Sequence, residues 1–242
     1  MGQSIRNYDD ININLRFWFD RVLERLEAPV FYDIGANDGV FSRAYAERCQ
    51  AVYAFEPSRA AAERLEAMIA AETHRNVSIF RLALGDEDGA AELHGYSDDT
   101  FNSLYRRTDF ELTHYSLAEA RTESVEVARL DTVVERFGLE PPGLVKIDVE
   151  GAELFVLRGG ERTIRAAMPV IVAEYSVDNT ANAGYDRVEI SSLLEGWGYS
   201  VYGLFRNTDT TAYVGVDREH RSVWNLLCLP PALEDVVHST QE

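Results

Sequence analysis

Val30-Phe31-Tyr32-Asp33-Ile34-Gly35-Ala36-Asn37-Asp38-Gly39-Val40-Phe41-Ser42 is an apolar run that meets an acid, passes through a glycine turn and resumes with helical spacing. That order describes a buried parallel strand feeding a helix. The turn then falls at the carboxyl end of the strand, where open α/β sheets bind their ligands. Gly35 and Gly39 let backbone approach a ligand closely, and Asn37 is the residue type that best tolerates a left-handed conformation after glycine.

The spacing narrows the ligand. A dinucleotide fold carries G-x-G-x-x-G with a pyrophosphate on the helix N-terminus. Here the order is D-x-G-A-N-D-G, opened by an acid that would repel phosphate and suit a cationic amino group. Asp33, Gly35, Ala36, Asn37 and Gly39 are therefore candidate contacts for a cofactor with an ammonium end and no phosphate, a description that S-adenosylmethionine meets. A second apolar strand, Ala51-Val52-Tyr53-Ala54-Phe55, ends at Glu56-Pro57. An acid at that place, roughly 20 residues past the glycine turn, accepts hydrogen bonds from a ribose diol. The alternative for Glu56 is a solvated acid before a proline-led helix start.

Further along lie Leu130-Asp131-Thr132 and Lys146-Ile147-Asp148-Val149-Glu150-Gly151-Ala152-Glu153, the latter followed by Leu157-Arg158-Gly159-Gly160. With the first two motifs, these segments resemble the FkbM family of S-adenosylmethionine-dependent methyltransferases. The resemblance implies an α/β class I methyltransferase (Rossmann-like) fold: a mostly parallel seven-stranded sheet with helices on both faces. It also implies O-methylation of a hydroxyl on a sugar, glycan, lipid, polyketide or other natural product. By the same resemblance, Ala83 and Leu84, after the third strand, pass the adenine.

The 242 residues suit one domain, and 46% hydrophobic with 26% charged residues is ordinary for a globular chain. The net charge of −18 is not, and it argues against nucleic acid as a partner, since phosphate-backbone binding needs Lys and Arg. Solubility needs and a salt-rich source are equally good accounts of the acidity. Cys49 and Cys228 read as free buried thiols, and no Cys or His has metal-ligand spacing. No apolar stretch is long enough to span a bilayer, and the N-terminus lacks a signal core, so a cytoplasmic location is expected.

Leu15, Trp18, Phe19, Val22, Leu23 and Leu26 form one helical face within an N-terminal segment of residues 1–28. That helix covers the fold, and Phe17, off the stripe, leaves room for a homodimer contact. The methyltransferase domain is expected over residues 29–231, with a loose acidic tail over 232–242. Residues 96–124 have no steady period and read as an insertion, either an acceptor-side lid or a packing loop. As a lid, its Phe101, Tyr105, Phe110 and Tyr115 would stack on an acceptor.

Alternation along the strand at Lys146 puts Lys146, Asp148 and Glu150 on one side. A lysine inside a central strand needs a partner, so a Lys146–Asp148 pair is expected. Asp148, Glu150 and Glu174, which ends the next strand, converge where an acceptor hydroxyl would lie. One of them could take the hydroxyl proton, with His114 as another candidate base. Alternatively Asp148 and Glu174 could hold magnesium, which lowers a hydroxyl pKa. Glu150 and Glu153 could also simply complement a helix dipole. Two other classes share these features. One is an NAD(P)-dependent oxidoreductase of similar fold, which the missing G-x-G-x-x-G disfavours. The other is a non-catalytic cofactor-binding partner protein, which would tolerate loss of the acidic group.

Overall fold

A computed structural model describes residues 8–72, 74–205, 212–214 and 223–238. In chain order, α1 (Tyr8–Leu23) precedes β1 (Val30–Ile34), α2 (Val40–Tyr45), β2 (Ala51–Phe55), α3 (Arg59–Glu72) and β3 (Val77–Phe80). Next come β4 (Ala83–Gly85), β5 (Gly89–Tyr96), α4 (Asp109–His114), β6 (Glu119–Arg129) and α5 (Leu130–Phe137). Then β7 (Leu144–Ile147), α6 (Glu153–Gly159), α7 (Glu161–Ala167), β8 (Val170–Glu174), α8 (Val177–Asn182) and α9 (Val188–Gly196) follow. β9 (Ser200–Phe205), β10 (Ala212–Val214), β11 (Val223–Leu229) and α10 (Asp235–His238) close the chain.

The main sheet has the order β10-β9-β11-β8-β7-β1-β2-β3. β3, β2, β1, β7 and β8 pair in parallel, and β11 runs antiparallel between β8 and β9. These seven strands form the mostly parallel α/β sheet that the resemblance implies, and the short β10 adds an eighth at the edge. β1 and β7 are buried at every position, as strands covered on both faces must be. One face packs α5, α6, α7 and α9 through Leu130, Leu154, Leu157, Ile164 and Ile190. The other takes α1, whose Leu15, Trp18, Phe19, Val22 and Leu23 are all buried against Phe31, Leu144 and Leu227.

Phe17, off the stripe and partly buried, packs edge-on to Trp18 and against the same cluster. The segment expected to be a loose tail instead forms α10, where Val236 and Val237 are buried beside α1 and Asp235 pairs with Arg25. Residues 239–242 of that tail, like residues 1–7, lie outside the described residues.

The insertion is shorter and more ordered than its sequence suggests. Residues 83–85 form β4, and β6 begins at Glu119. Together with β5 they make a second sheet, ordered β4-β6-β5. Outside the strands, Asp99–Phe101 forms a short 3-10 helix, and α4 opens with a reciprocal capping box between Thr108 and Glu111. A Cβ on Gly159 would stand 1.9 Å from the Gly85 carbonyl oxygen. Gly159 therefore lets α6 close onto β4, Gly160 makes room for Leu130 of α5, and Arg158 reaches Glu189 on α9.

Candidate active site

β1 ends in a turn whose Gly35, Asn37 and Gly39 have φ of 77°, 48° and 77°. A Cβ on Gly35 would meet the Asp148 carbonyl oxygen at 1.8 Å, and one on Gly39 would meet Leu65 at 2.2 Å. Glycine thus presses the loop onto the end of β7 on one side and onto α3 on the other. The cleft above this loop is lined by Gly35, Ala36, Asn37, Asp38, Glu56, Ala83 and Leu84. Phe41, Leu93 and Lys146 add to its wall, as do Asp148 and Glu150.

Glu56 closes β2 and is 7% exposed. Its Oε2 accepts the Asn37 N–H and its Oε1 the Ser58 N–H, each at 2.8 Å. A carboxylate has about four acceptor positions, so each oxygen keeps a lone pair for a hydroxyl in the cleft. Burial raises its pKa to about 7 against the pull of those two N–H bonds.

Asp33 does not line the cleft. Its Oδ2 accepts from the Ser42 N–H at 2.9 Å and from the Ser42 hydroxyl at 2.6 Å, tying the strand to the first turn of α2. Its Oδ1 has no hydrogen bond and lies 3.8 Å from Lys146 Nζ. Burial pushes its pKa up and the lysine opposes this. Asp33 is 1% exposed with its carboxylate held by Ser42 under the first turn of α2, so the direct contact with an ammonium group expected from sequence gives way to a role behind the loop.

The expected Lys146–Asp148 pair is present, with Nζ 3.2 Å from Oδ2. Lys146 also donates to the Gly35 carbonyl at 3.4 Å and faces the Phe41 ring. Asp148, Glu150 and Glu174 do converge, each offering an oxygen within 4.8 Å of the others. Glu174 sits one layer behind the cleft wall and is joined to Glu150 by Asn179, whose Nδ2 reaches Glu150 Oε2 at 2.8 Å and Glu174 Oε2 at 3.0 Å. Burial raises Glu150 to about 7, with Arg107 opposing. Burial and the neighbouring acids hold Glu174 well above the usual carboxylate range. Glu153 is structural, since its Oε1 accepts the Val149 and Gly151 N–H groups under the turn. Glu150 itself occupies that turn at φ 55°, a strained place for a side chain, so the turn aims its carboxylate.

The insertion supplies the cleft wall with Asp99, Thr100, Asn102, Ser103 and Leu104. The Ser103 hydroxyl donates to the Glu150 carbonyl at 2.7 Å. Its aromatics do not line the cleft: Phe101 is buried against Tyr115, Tyr105 faces Phe155, and Phe110 is exposed on α4. His114 likewise does not line the cleft; it is exposed at the end of α4 and stacked on Phe110.

Sequence reasoning missed Arg107. It is 6% exposed, and its Nη2 donates to Glu150 while Nη1 donates to Asn179 Oδ1 at 3.0 Å and Glu111 at 3.3 Å. Nε donates to the Phe101 carbonyl, and the guanidinium lies 4.7 Å above the Phe101 ring. The adjacent Arg106 sits in the open with Glu119. Nothing in the Arg-Arg pair reveals which one turns inward.

An open α/β sheet of this strand order, with a glycine loop after its first strand and an acid closing its second, defines a class I methyltransferase fold. Residues 33–201 match the Methyltransferase FkbM domain, and the chain belongs to the FkbM methyltransferase family. It is 34% identical over 158 residues to the 2-O-methyltransferase NoeI of Sinorhizobium fredii, an alignment covering 61% of this chain and 63% of that protein. It is 30% identical over 216 residues to the 31-O-demethyl-FK506 methyltransferase FkbM of Streptomyces tacrolimicus, covering 77% and 80%. The chain thus spans somewhat less than two thirds of NoeI. Among solved structures it resembles a methyltransferase FkbM from Methylobacillus flagellatus, with a TM-score of 0.55, 16% identity, and 84% of this chain and 44% of that one covered. It also resembles the O-methyltransferase TomG of Streptomyces achromogenes, solved in complex with SAM, with a TM-score of 0.50, 14% identity and coverage of 89% and 80%.

Proposed function

We propose that the protein transfers a methyl group from S-adenosylmethionine to a hydroxyl oxygen of a neutral small molecule, such as a sugar, a glycan or another natural product. The observation that carries this reading is the layout of one cleft. Glu56, the glycine loop, Asp148 and Glu150 all line it. Both relatives named above carry O-methyltransferase names, which agrees with a hydroxyl acceptor.

S-adenosylmethionine supplies an electrophilic methyl group on a sulfonium centre. Glu56 would accept from the ribose hydroxyls, Ala83, Leu84 and Leu93 would give the base an apolar wall, and residues 35–39 would border the methionine end. Asp33 fixes the loop from behind. Asp148 or Glu150 would receive the acceptor proton. The surrounding acids disfavour phosphorylated or carboxylated acceptors, and the net charge of −18 repels nucleic acid.

Thermal shift with S-adenosylhomocysteine, NAD and NADP tests the cofactor. A ligand at a hundredfold over its Kd adds ~2.7 kcal/mol, or roughly 5–10 °C for a domain of this size. A shift with S-adenosylhomocysteine alone, absent in Glu56→Ala, is expected; a shift with NAD would overturn the assignment in favour of an oxidoreductase. Asp148→Asn with Glu150→Gln should keep that shift and lose methyl transfer. Retained transfer would remove both acids from the chemistry.

A further inference from the structure

The three converging carboxylates form a pattern that can hold a divalent cation, yet each already has a partner from the chain. Lys146 sits on Asp148, Arg107 and Asn179 share Glu150 Oε2, and Asn179 spans to Glu174. Both cations are buried, Lys146 at 5% and Arg107 at 6% exposure. A divalent ion at the centre of the carboxylates would have to displace these donors and would lie at close range to two immobile cations. Repulsion of that kind at close range and low dielectric is costly. Magnesium therefore does not fit the residues present.

We propose that Arg107 is the resident cation of this acidic group, standing in for a divalent metal and fixing the Glu150 carboxylate at the acceptor end of the cleft. The guanidinium suits the task because its planar fork reaches several acceptors at once, which an ammonium group cannot do. Here it holds Glu150, Asn179 and Glu111 together, and so binds the inner wall of the insertion to α8 and to the turn after β7. Arg107 is a positioning residue, since it touches Glu150 and does not line the cleft. The proposal rests on reading that end of the cleft as the acceptor site.

The test is Mn²⁺ binding, followed by electron paramagnetic resonance, on wild type, Arg107→Lys and Arg107→Ala. Wild type and Arg107→Lys should bind no Mn²⁺ at this group. Arg107→Ala should bind it at least about tenfold more tightly than wild type, as loss of a close buried charge implies, and adding Asp148→Asn should abolish that binding. Wild-type Mn²⁺ binding that Asp148→Asn removes would overturn the proposal. So would a folded Arg107→Ala that binds no Mn²⁺. If Arg107→Ala does not fold, Asn179→Ala frees oxygens of Glu150 and Glu174 while keeping the guanidinium, and Mn²⁺ binding there would equally overturn it. S-adenosylhomocysteine binding by the same proteins reports separately on the cofactor reading, so failure of one is distinguishable from failure of the other.

Discussion

At the residue scale, Lys146 is where sequence and structure agree most directly. A lysine in the middle of L-V-K-I needs a buried anion, and period-two alternation names Asp148 as the nearest. The second anion, Asp33, is invisible to that argument because it comes from a neighbouring strand whose register only the sheet fixes. Lys146→Met should destabilise the protein by about 3–5 kcal/mol, because Asp33 is left buried and unpaired. Adding Asp33→Asn should restore much of the loss. Urea unfolding of the two variants checks this, and a neutral Lys146→Met would show that Asp33 takes up a proton at little cost. Arg107 and Asn179 were illegible for the same reason in stronger form. Their partners lie 43 and 29 residues away from them along the chain, in segments with no period of their own.

At the element scale, what could be read was periodic and what was missed was not. The stripe of α1 follows from apolar residues three and four apart, and β1, β2, β7 and β8 from short apolar runs closed by acids or glycine. The first half of β6, Glu119 to Ser124, is polar and almost wholly exposed, and it is a strand only because it pairs with β5. α8, with the sequence VDNTAN, has no apolar face and is held by its Ser176 cap and by Asn179 and Asn182 reaching inward. Polar elements of this kind are set by tertiary partners that local propensity does not contain. α1 makes the opposite case. Its Phe19 packs on Phe31, Phe41 and Tyr45 and is fully buried. Phe19→Ala should cost about 3–5 kcal/mol in denaturant melts. A loss under about 1 kcal/mol would mean that α1 is a detachable cover.

At the scale of the whole molecule, charge dominates. Glu56, Glu150 and Glu153 each have a pKa raised to about 7 in the fold, mainly by burial, against an ordinary value of 4.5. Between these values the folded state holds more protons than the unfolded one, so stability falls as pH rises through that window and levels off above it. One such group alone is worth on the order of 3 kcal/mol at most. Self-repulsion from a net charge of −18 acts in the same direction. The urea midpoint should therefore be higher near about pH 5 than near about pH 8, and a midpoint that rises with pH would contradict the burial of these acids. The strand order has a separate consequence, in the timing of synthesis. β11 lies between β8 and β9 in the sheet but is made after both. Until Val223–Leu229 has left the ribosome, β8 presents a bare edge and β9 has no strand to join it to the sheet. A nascent chain stalled in that interval would display an open apolar edge to its neighbours, and chaperone capture or aggregation during translation is the expected hazard of this topology.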